Sequence, residues 1–233
     1  HEVVAGDNEE FLRLSGIKVF ISDPSENIDR AIELINRTNQ LNFTKKRLSE
    51  DMDVARDELS ELLARPGMEA GLVHVVDKYG DYGDVGLYVV DTEKEVPELV
   101  HFCFSCRTLN MGIENWVYRQ LGSPHLEVVG EVIGDVIGDQ RDIDWITLGT
   151  DPGAAVEEAA APVGQRPFHR VIFRGGCEQR AFSHFFTNVS DEVIGEFNIQ
   201  RFGIPIRPDH SCFFRMSADG VDAETMDILK RVG

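Results

Sequence analysis

An α/β fold, a sheet with helices packed against it, is predicted by three observations. The alternating run IKVFIS at 17–22 leads directly into a helix-start sequence. Two β-rich runs flank a stretch dense in glycine and aspartate at 77–86, and a further strand-then-helix pair occupies 99–121. The first helix begins at Asp23-Pro24-Ser25-Glu26, which combines an N-cap, a proline at the first helical position and a capping-box glutamate. Ile28, Ala31, Ile32 and Ile35 then fall on one face. A second helix buries Ala55, Leu59, Leu62 and Leu63 and ends at Pro66-Gly67. Residues 70–77 and 85–91 read as strands joined by KYGDYGD as a hairpin loop. LVHFCFS at 99–105 is the next strand. Ile113, Trp116, Val117 and Leu121 stripe the next helix, and 126–133 reads as a closing strand.

Residues 151–167 are rich in Ala, Gly, Pro and Glu and read as a linker between a first domain, 1–150, and a small second α/β segment, 168–233. In that segment HRVIFRGGCEQRAFSHFF predicts a strand, a glycine turn and a helix.

The chain has 233 residues with 42% hydrophobic content, enough for an ordinary core. A formal charge of −18 argues against nucleic acid, because phosphate backbones are bound by clustered Lys and Arg. Lys45, Lys46 and Arg47 form the nearest basic cluster. It reads either as a solvated helix end or as a docking point for an acidic partner. The four cysteines, Cys103, Cys106, Cys177 and Cys212, show no paired spacing of the secreted-disulfide kind, and no apolar stretch approaches membrane-spanning length. A cytoplasmic protein without a membrane partner is expected. The start at His1 reads as an excerpt of a longer protein.

Two segments carry polar groups that packing does not call for. RTNQLNFT at 37–44 places amides and hydroxyls where a helix should end. Thr38, Asn39, Gln40, Asn42 and Thr44 suit recognition of a polyol or of pantetheine amides, or else an internal capping network. The loop Ser105-Cys106-Arg107-Thr108-Leu109-Asn110-Met111-Gly112, between a strand and a helix, has the form that presents backbone N–H groups and a positive dipole end to a pyrophosphate such as that of coenzyme A. It also has the form of a tight turn.

Asp81 and Asp84, with Tyr79 and Tyr82, supply either a general base or turn-building side chains. His101 is a base or a core histidine, and Glu114 is a candidate catalytic group or a complement to the helix dipole. Cys177 precedes a predicted helix and is a nucleophile, with His184 or His210 as partner, or a structural cysteine. His169, Cys177, His184, His210 and Cys212 lack ligand-pair spacing, so no metal is expected.

Three blocks together, RTNQLNFT, DKYGDYGDVG at 77–86 and SCRTLNMGIE at 105–114, resemble the C-terminal half of FkbH-like proteins, which are associated with glyceryl transfer to acyl carrier proteins in polyketide and related biosynthesis. The resemblance spans about residues 8–150. It implies a GNAT-type acyltransferase arrangement: a mixed sheet with flanking helices that handles an acyl or glyceryl group on a coenzyme A or carrier-protein thioester. GNAT loops of the form Q/R-x-x-G-x-G/A match at Arg107 and Gly112, with Asn110 in place of the first glycine.

Ser105, Cys106, Arg107, Asn110, Met111 and Gly112 are then the residues expected at coenzyme A or phosphopantetheine. The octet side chains face the acyl acceptor, and His101, Asp81 or Cys177 carries the chemistry. Two departures stand out: no tyrosine occurs in 130–149, where GNAT enzymes often carry one, and the D-x-D-x-T motif of the upstream HAD-like domain is absent. A non-catalytic carrier-protein docking module is therefore the alternative. A third option is a hydrolase acting through the C-terminal segment, whose first block weakly resembles SGNH hydrolases.

Overall fold

The computed structural model describes residues 3–139, 141–159, 168–175, 186, 190–197, 200–201 and 204–205. The element order is α1 (Val3–Ser15), β1 (Ile17–Ser22), α2 (Ile28–Arg37), β2 (Leu41–Asn42), α3 (Met52–Leu63), β3 (Met68–Asp77), β4 (Gly80–Asp91), β5 (Glu98–Phe104), α4 (Ile113–Gln120), β6 (Ile146–Leu148) and α5 (Pro152–Ala159). Strands β1 to β6 form one mixed six-stranded sheet in the order β2-β5-β4-β3-β1-β6. Every neighbouring pair is antiparallel except β1 and β6, which run parallel. Beyond it, β7 (Phe168–Gly175) pairs in parallel with β8 (Ser190–Phe197), and β9 (Gln200–Arg201) pairs with β10 (Ile204–Pro205).

The sheet divides the core. On one face α2 and α3 bury Ala31, Ile32, Leu34, Ile35, Ala55 and Leu59 against Leu72, Leu87, Val89 and Cys103. On the other, Trp116, Val117 and Tyr118 of α4 pack with Val73, Val75, Tyr82, Phe102 and Phe104. Phe102 anchors this second core, its ring centroid 4.9 Å from Phe104 and 5.3 Å from Phe43. A bulge in β5 between Leu99 and His101 moves Leu99 to the α4 side while Cys103 stays on the α2 side, because one extra residue inverts the alternation.

Three expectations change. The sequence predicts a loop over 78–84, but the chain turns at Lys78-Tyr79 and β4 resumes at Gly80. The glycines and aspartates lie inside a strand that is irregular rather than absent. The predicted strand at 126–133 is not a sheet strand. One parallel bridge, Glu98 to His125, starts it, and the slot beside β5 is then taken by β2. Val129 and Ile133 instead donate backbone N–H to the carbonyls of Phe43 and Gln40 at 2.8 and 2.7 Å.

The first half of the expected linker is helix α5. Asp151 Oδ1 accepts from the N–H groups of Gly153 and Ala154 at 2.9 and 3.3 Å, Pro152 opens the helix, and Ala155 packs on Phe20 and Val76.

Gly86 pairs with Phe104, and a Cβ there meets the Phe104 ring at 2.4 Å and Val73 Cβ at 3.2 Å. Gly86→Ala is expected to lower the unfolding free energy by about 1–3 kcal/mol through overpacking, read by denaturant titration. An unchanged midpoint contradicts this packing.

Candidate functional site

The three polar blocks of the sequence meet at the C-terminal end of β5. Phe104 pairs with Gly86 of β4 on one side and with Leu41 of β2 on the other, and the loop 105–112 follows at once. Register explains the meeting. Asp77 faces Gly80 and Val76 faces Asp81, but Val75 faces Gly83, His74 faces Asp84 and Val73 faces Gly86, so Tyr82 and Val85 are extra residues on β4. Both of their carbonyls are taken by the following loop: Arg107 donates to Tyr82 O at 3.1 Å and the Ser105 N–H to Val85 O at 2.6 Å.

The loop is a capped turn. Ser105 Oγ accepts from the Arg107 N–H at 3.3 Å, and Thr108 Oγ1 donates to Ser105 O at 3.0 Å. Asn110 is exposed with φ 66°, the left-handed conformation that asparagine tolerates where glycine is usual, and Gly112 follows at φ 77°. Ser105, Cys106 and Arg107 are half-buried and, with Asn110, form the outward part of the loop. Met111 and Gly112 face inward. Trp145 Nε1 donates to Met111 O at 2.8 Å, and a Cβ on Gly112 comes within 3.4 Å of Ile143 and Trp145, so the space above Gly112 is occupied by the chain itself.

The octet splits into two groups. Thr38 Oγ1 donates to Leu34 O at 2.6 Å at the end of α2. Asn42, 1% exposed, donates to Ile35 O at 3.2 Å and accepts from the Lys45 N–H at 2.8 Å. Lys45 reaches Asn39 O, and Arg47 reaches the carbonyls of Ile35 and Thr38, which satisfies the C-terminal groups of α2 with positive charge. Thr44 is buried, and its Oγ1 has no hydrogen-bond partner. Asn39, Gln40 and Lys46 are exposed. Lys45 and Arg47 are thus tied to the end of α2, and Arg47, like Lys46, is exposed.

Among the titratable groups, His101 is 5% exposed, and burial, with Lys46 nearby, pushes its pKa down to about 4, so it is neutral and weakly basic. Asp81, 37% exposed by side chain, accepts from the Gly83 N–H at 2.6 Å and lies 2.9 Å from His74 Nε2. Asp77 is buried, accepts from Tyr82 OH at 2.9 Å and is raised by burial to about 6. Glu114, in the first turn of α4, is 5% exposed and bonds to its own backbone N–H. It leaves Oε2 without a partner, and burial raises it to about 7. Burial likewise pushes the Cys103 thiol up to about 12. His169 is exposed and sits 2.8 Å from Asp191. Cys177, His184, His210 and Cys212 lie outside the described residues. No group of three or more His, Cys, Asp or Glu among the described residues is placed to hold a metal.

The residue that sequence reading passed over is His74. Its Nδ1 is 2.9 Å from Asp84 Oδ1, and Asn27 Nδ2 donates to Asp84 Oδ2 at 2.8 Å. Within VHVVD it reads as an ordinary strand position, and the only available signal is an aspartate ten residues on across a hairpin.

In comparisons with known proteins, no family model, no curated protein and no solved structure matches the chain.

Asn42→Ala removes the acceptor of the half-buried Lys45 N–H and one of the two donors to Ile35 O, and is expected to cost about 1–2 kcal/mol in a denaturation curve. Asn39→Ala, on the surface, should stay within about 0.5 kcal/mol. Equal losses contradict the division of the octet.

Glu114 supplies a pH test. Its folded pKa, about 7, lies above the 4.5 of a free glutamate, so its contribution is most favourable below about pH 4.5 and is lost as pH rises through 7. Glu114→Gln should therefore gain about 3 kcal/mol on the wild type above pH 7.5, at about 1.36 kcal/mol per pH unit, with no such gain at pH 4. Parallel stability curves from pH 4 to 8 contradict it.

Proposed function

We propose that the chain is an acyltransferase-like module of GNAT type, similar to the C-terminal half of FkbH-like proteins. It handles an acyl or glyceryl group carried as a thioester on coenzyme A or an acyl carrier protein in polyketide or related biosynthesis. The observation that carries the reading is the convergence of all three resembling blocks on the end of β5, with Ser105, Cys106, Arg107 and Asn110 of the capped loop on its outer side. The element order supports it: a strand, two helices, three antiparallel strands and a helix. A cytoplasmic setting and an upstream HAD-like partner domain go with this reading. Among the described residues no helix is long and apolar enough to cross a membrane.

Electrostatics narrow the ligand. Arg107 and Arg30 both lie near Glu33, and Arg30 also donates to the Asp84 carbonyl, so the positive charge at the loop is partly offset. Such a surface favours the neutral, amide-bearing pantetheine arm over the charged nucleotide end. The edge of β5 is already paired with β2, so the arm approaches over residues 105–110 rather than as an added strand.

The second reading, a docking module without catalysis, is favoured by the weak basicity of His101 and by the internal bonding of Thr38 and Asn42.

Calorimetry with pantetheine and with coenzyme A tests the first reading. Asn110→Asp keeps a residue that tolerates left-handed φ and adds a negative charge. It should weaken coenzyme A by about tenfold, 1.4 kcal/mol, and leave pantetheine unchanged. Absence of binding by either compound defeats the proposal.

A further inference from the structure

The chain between Ile133 and Trp145 crosses α4 as a strap, and a buried acid lies beneath it. One end is fixed at β2, where the Val129 and Ile133 N–H groups donate to Phe43 O at 2.8 Å and Gln40 O at 2.7 Å. The other is fixed by Trp145 Nε1 on Met111 O at 2.8 Å and by the parallel pairing of Ile146 with Ile17. Just inside the first anchor Gly134 has φ 113°, a backbone state that glycine enters and leaves freely. Donors on α4 hold the middle of the strap. Asn115 Nδ2 reaches Asp135 O at 3.1 Å and Asp139 Oδ2 at 3.2 Å, and Arg119 donates to the carbonyls of Asp139 and Arg141. Val136 and Ile143 are buried under it.

Glu114 is the unmatched group of this interface. Its side chain lies against Gly134, where an added Cβ would come 3.5 Å from Oε1 and 3.8 Å from Leu41, and its buried Oε2 has no hydrogen-bond partner. The charged groups around it do not supply one. Arg141 of the strap attracts the carboxylate, but its Nη2 is held by Asp139 Oδ2 at 2.7 Å, and Asp139 repels it. Arg119, on α4 itself, is engaged by the strap carbonyls, and Asp135 Oδ1 accepts from the Gly138 N–H. Glu9 of α1 acts on Arg141, and β2 presents the apolar Leu41. A protonated carboxyl is tolerated in such a place, whereas an ionised one without a donor is costly.

We propose that the strap is a pH-operated cover, closed on α4 while Glu114 is protonated and swinging out from Gly134 when Glu114 ionises. Opening gives the carboxylate to water and frees Asn115 and Arg119. It also takes Ile143 off Gly112, so the inner end of the 105–112 loop loses part of its cover. The device does not depend on the acyl-transfer reading. Its sign follows from burial: the closed form binds the Glu114 proton more tightly than a free glutamate does. The closed form is therefore favoured at acid pH and loses that advantage between about pH 4.5 and 7.

Hydrogen exchange on the intact chain at pH 5 and pH 8, read by mass spectrometry with each rate divided by its chemical exchange rate, tests this. The opening constant of strap peptides is expected to rise at least about tenfold from the lower to the higher pH. At pH 8 it should exceed that of peptides from β3 and β4, which report global unfolding, by at least about tenfold. Glu114→Gln should show no such rise, and Glu114→Leu carries the same expectation if the glutamine variant does not fold. Strap peptides that open only as often as β3 and β4 overturn the proposal, as does an equal opening constant at the two pH values. A rise that persists in the Glu114 variant assigns the titration to another group and overturns it too.

Discussion

The two residues that β4 carries in excess of β3 govern the rest of this structure. A regular hairpin from the Lys78-Tyr79 turn would keep every carbonyl of β4 in the ladder. The insertion of Tyr82 and Val85 instead turns two carbonyls toward the 105–107 loop, where Arg107 and the Ser105 N–H take them. The same insertion puts Asp84 opposite His74 and brings Gly86 under the Phe104 ring. Glycine is required at that last position because any side chain would collide with the ring.

The octet acts as a wedge. Leu41 and Asn42 extend the sheet beyond β5, and residues 129–133 then bond to this edge in place of forming a strand of their own. What holds the wedge is the end of α2. Its last carbonyls are matched by Lys45, Arg47 and the Asn42 amide, so residues that look like a ligand site from their composition are in large part a helix cap. Asn39 and Gln40 remain outward and are the part of the octet in reach of a partner.

Burial makes the acids of this protein unusual. Asp77 and Glu114 both sit where the charged form is disfavoured, and each is tied to an element bordering the site, the β3–β4 turn and the first turn of α4. The protein carries these groups at the expense of stability at neutral pH, in a chain whose overall charge is already strongly negative.

The sequence by itself determined the local elements. The Ile28–Ile35 stripe and the glycine after Leu109-Asn110-Met111 act through neighbours a few residues away, so α2, α4 and the loop between β5 and α4 were legible, whereas Asp23-Pro24 caps a short 3-10 turn, Pro24–Asn27, ahead of α2 rather than α2 itself. The Asp151-Pro152 cap of α5 was equally local, but an alanine-rich composition made it read as a linker.

Tertiary structure alone decided the register of β4, the loss of a strand at 126–133 and the pairing of His74 with Asp84. Counting back from the turn pairs His74 with Gly83. Only the packing of Tyr82 beneath the sheet, with its hydroxyl on Asp77, shows that a residue has been inserted. Strand register is set by contacts between residues far apart in sequence, and those contacts exist only once the sheet and both of its helical layers have assembled.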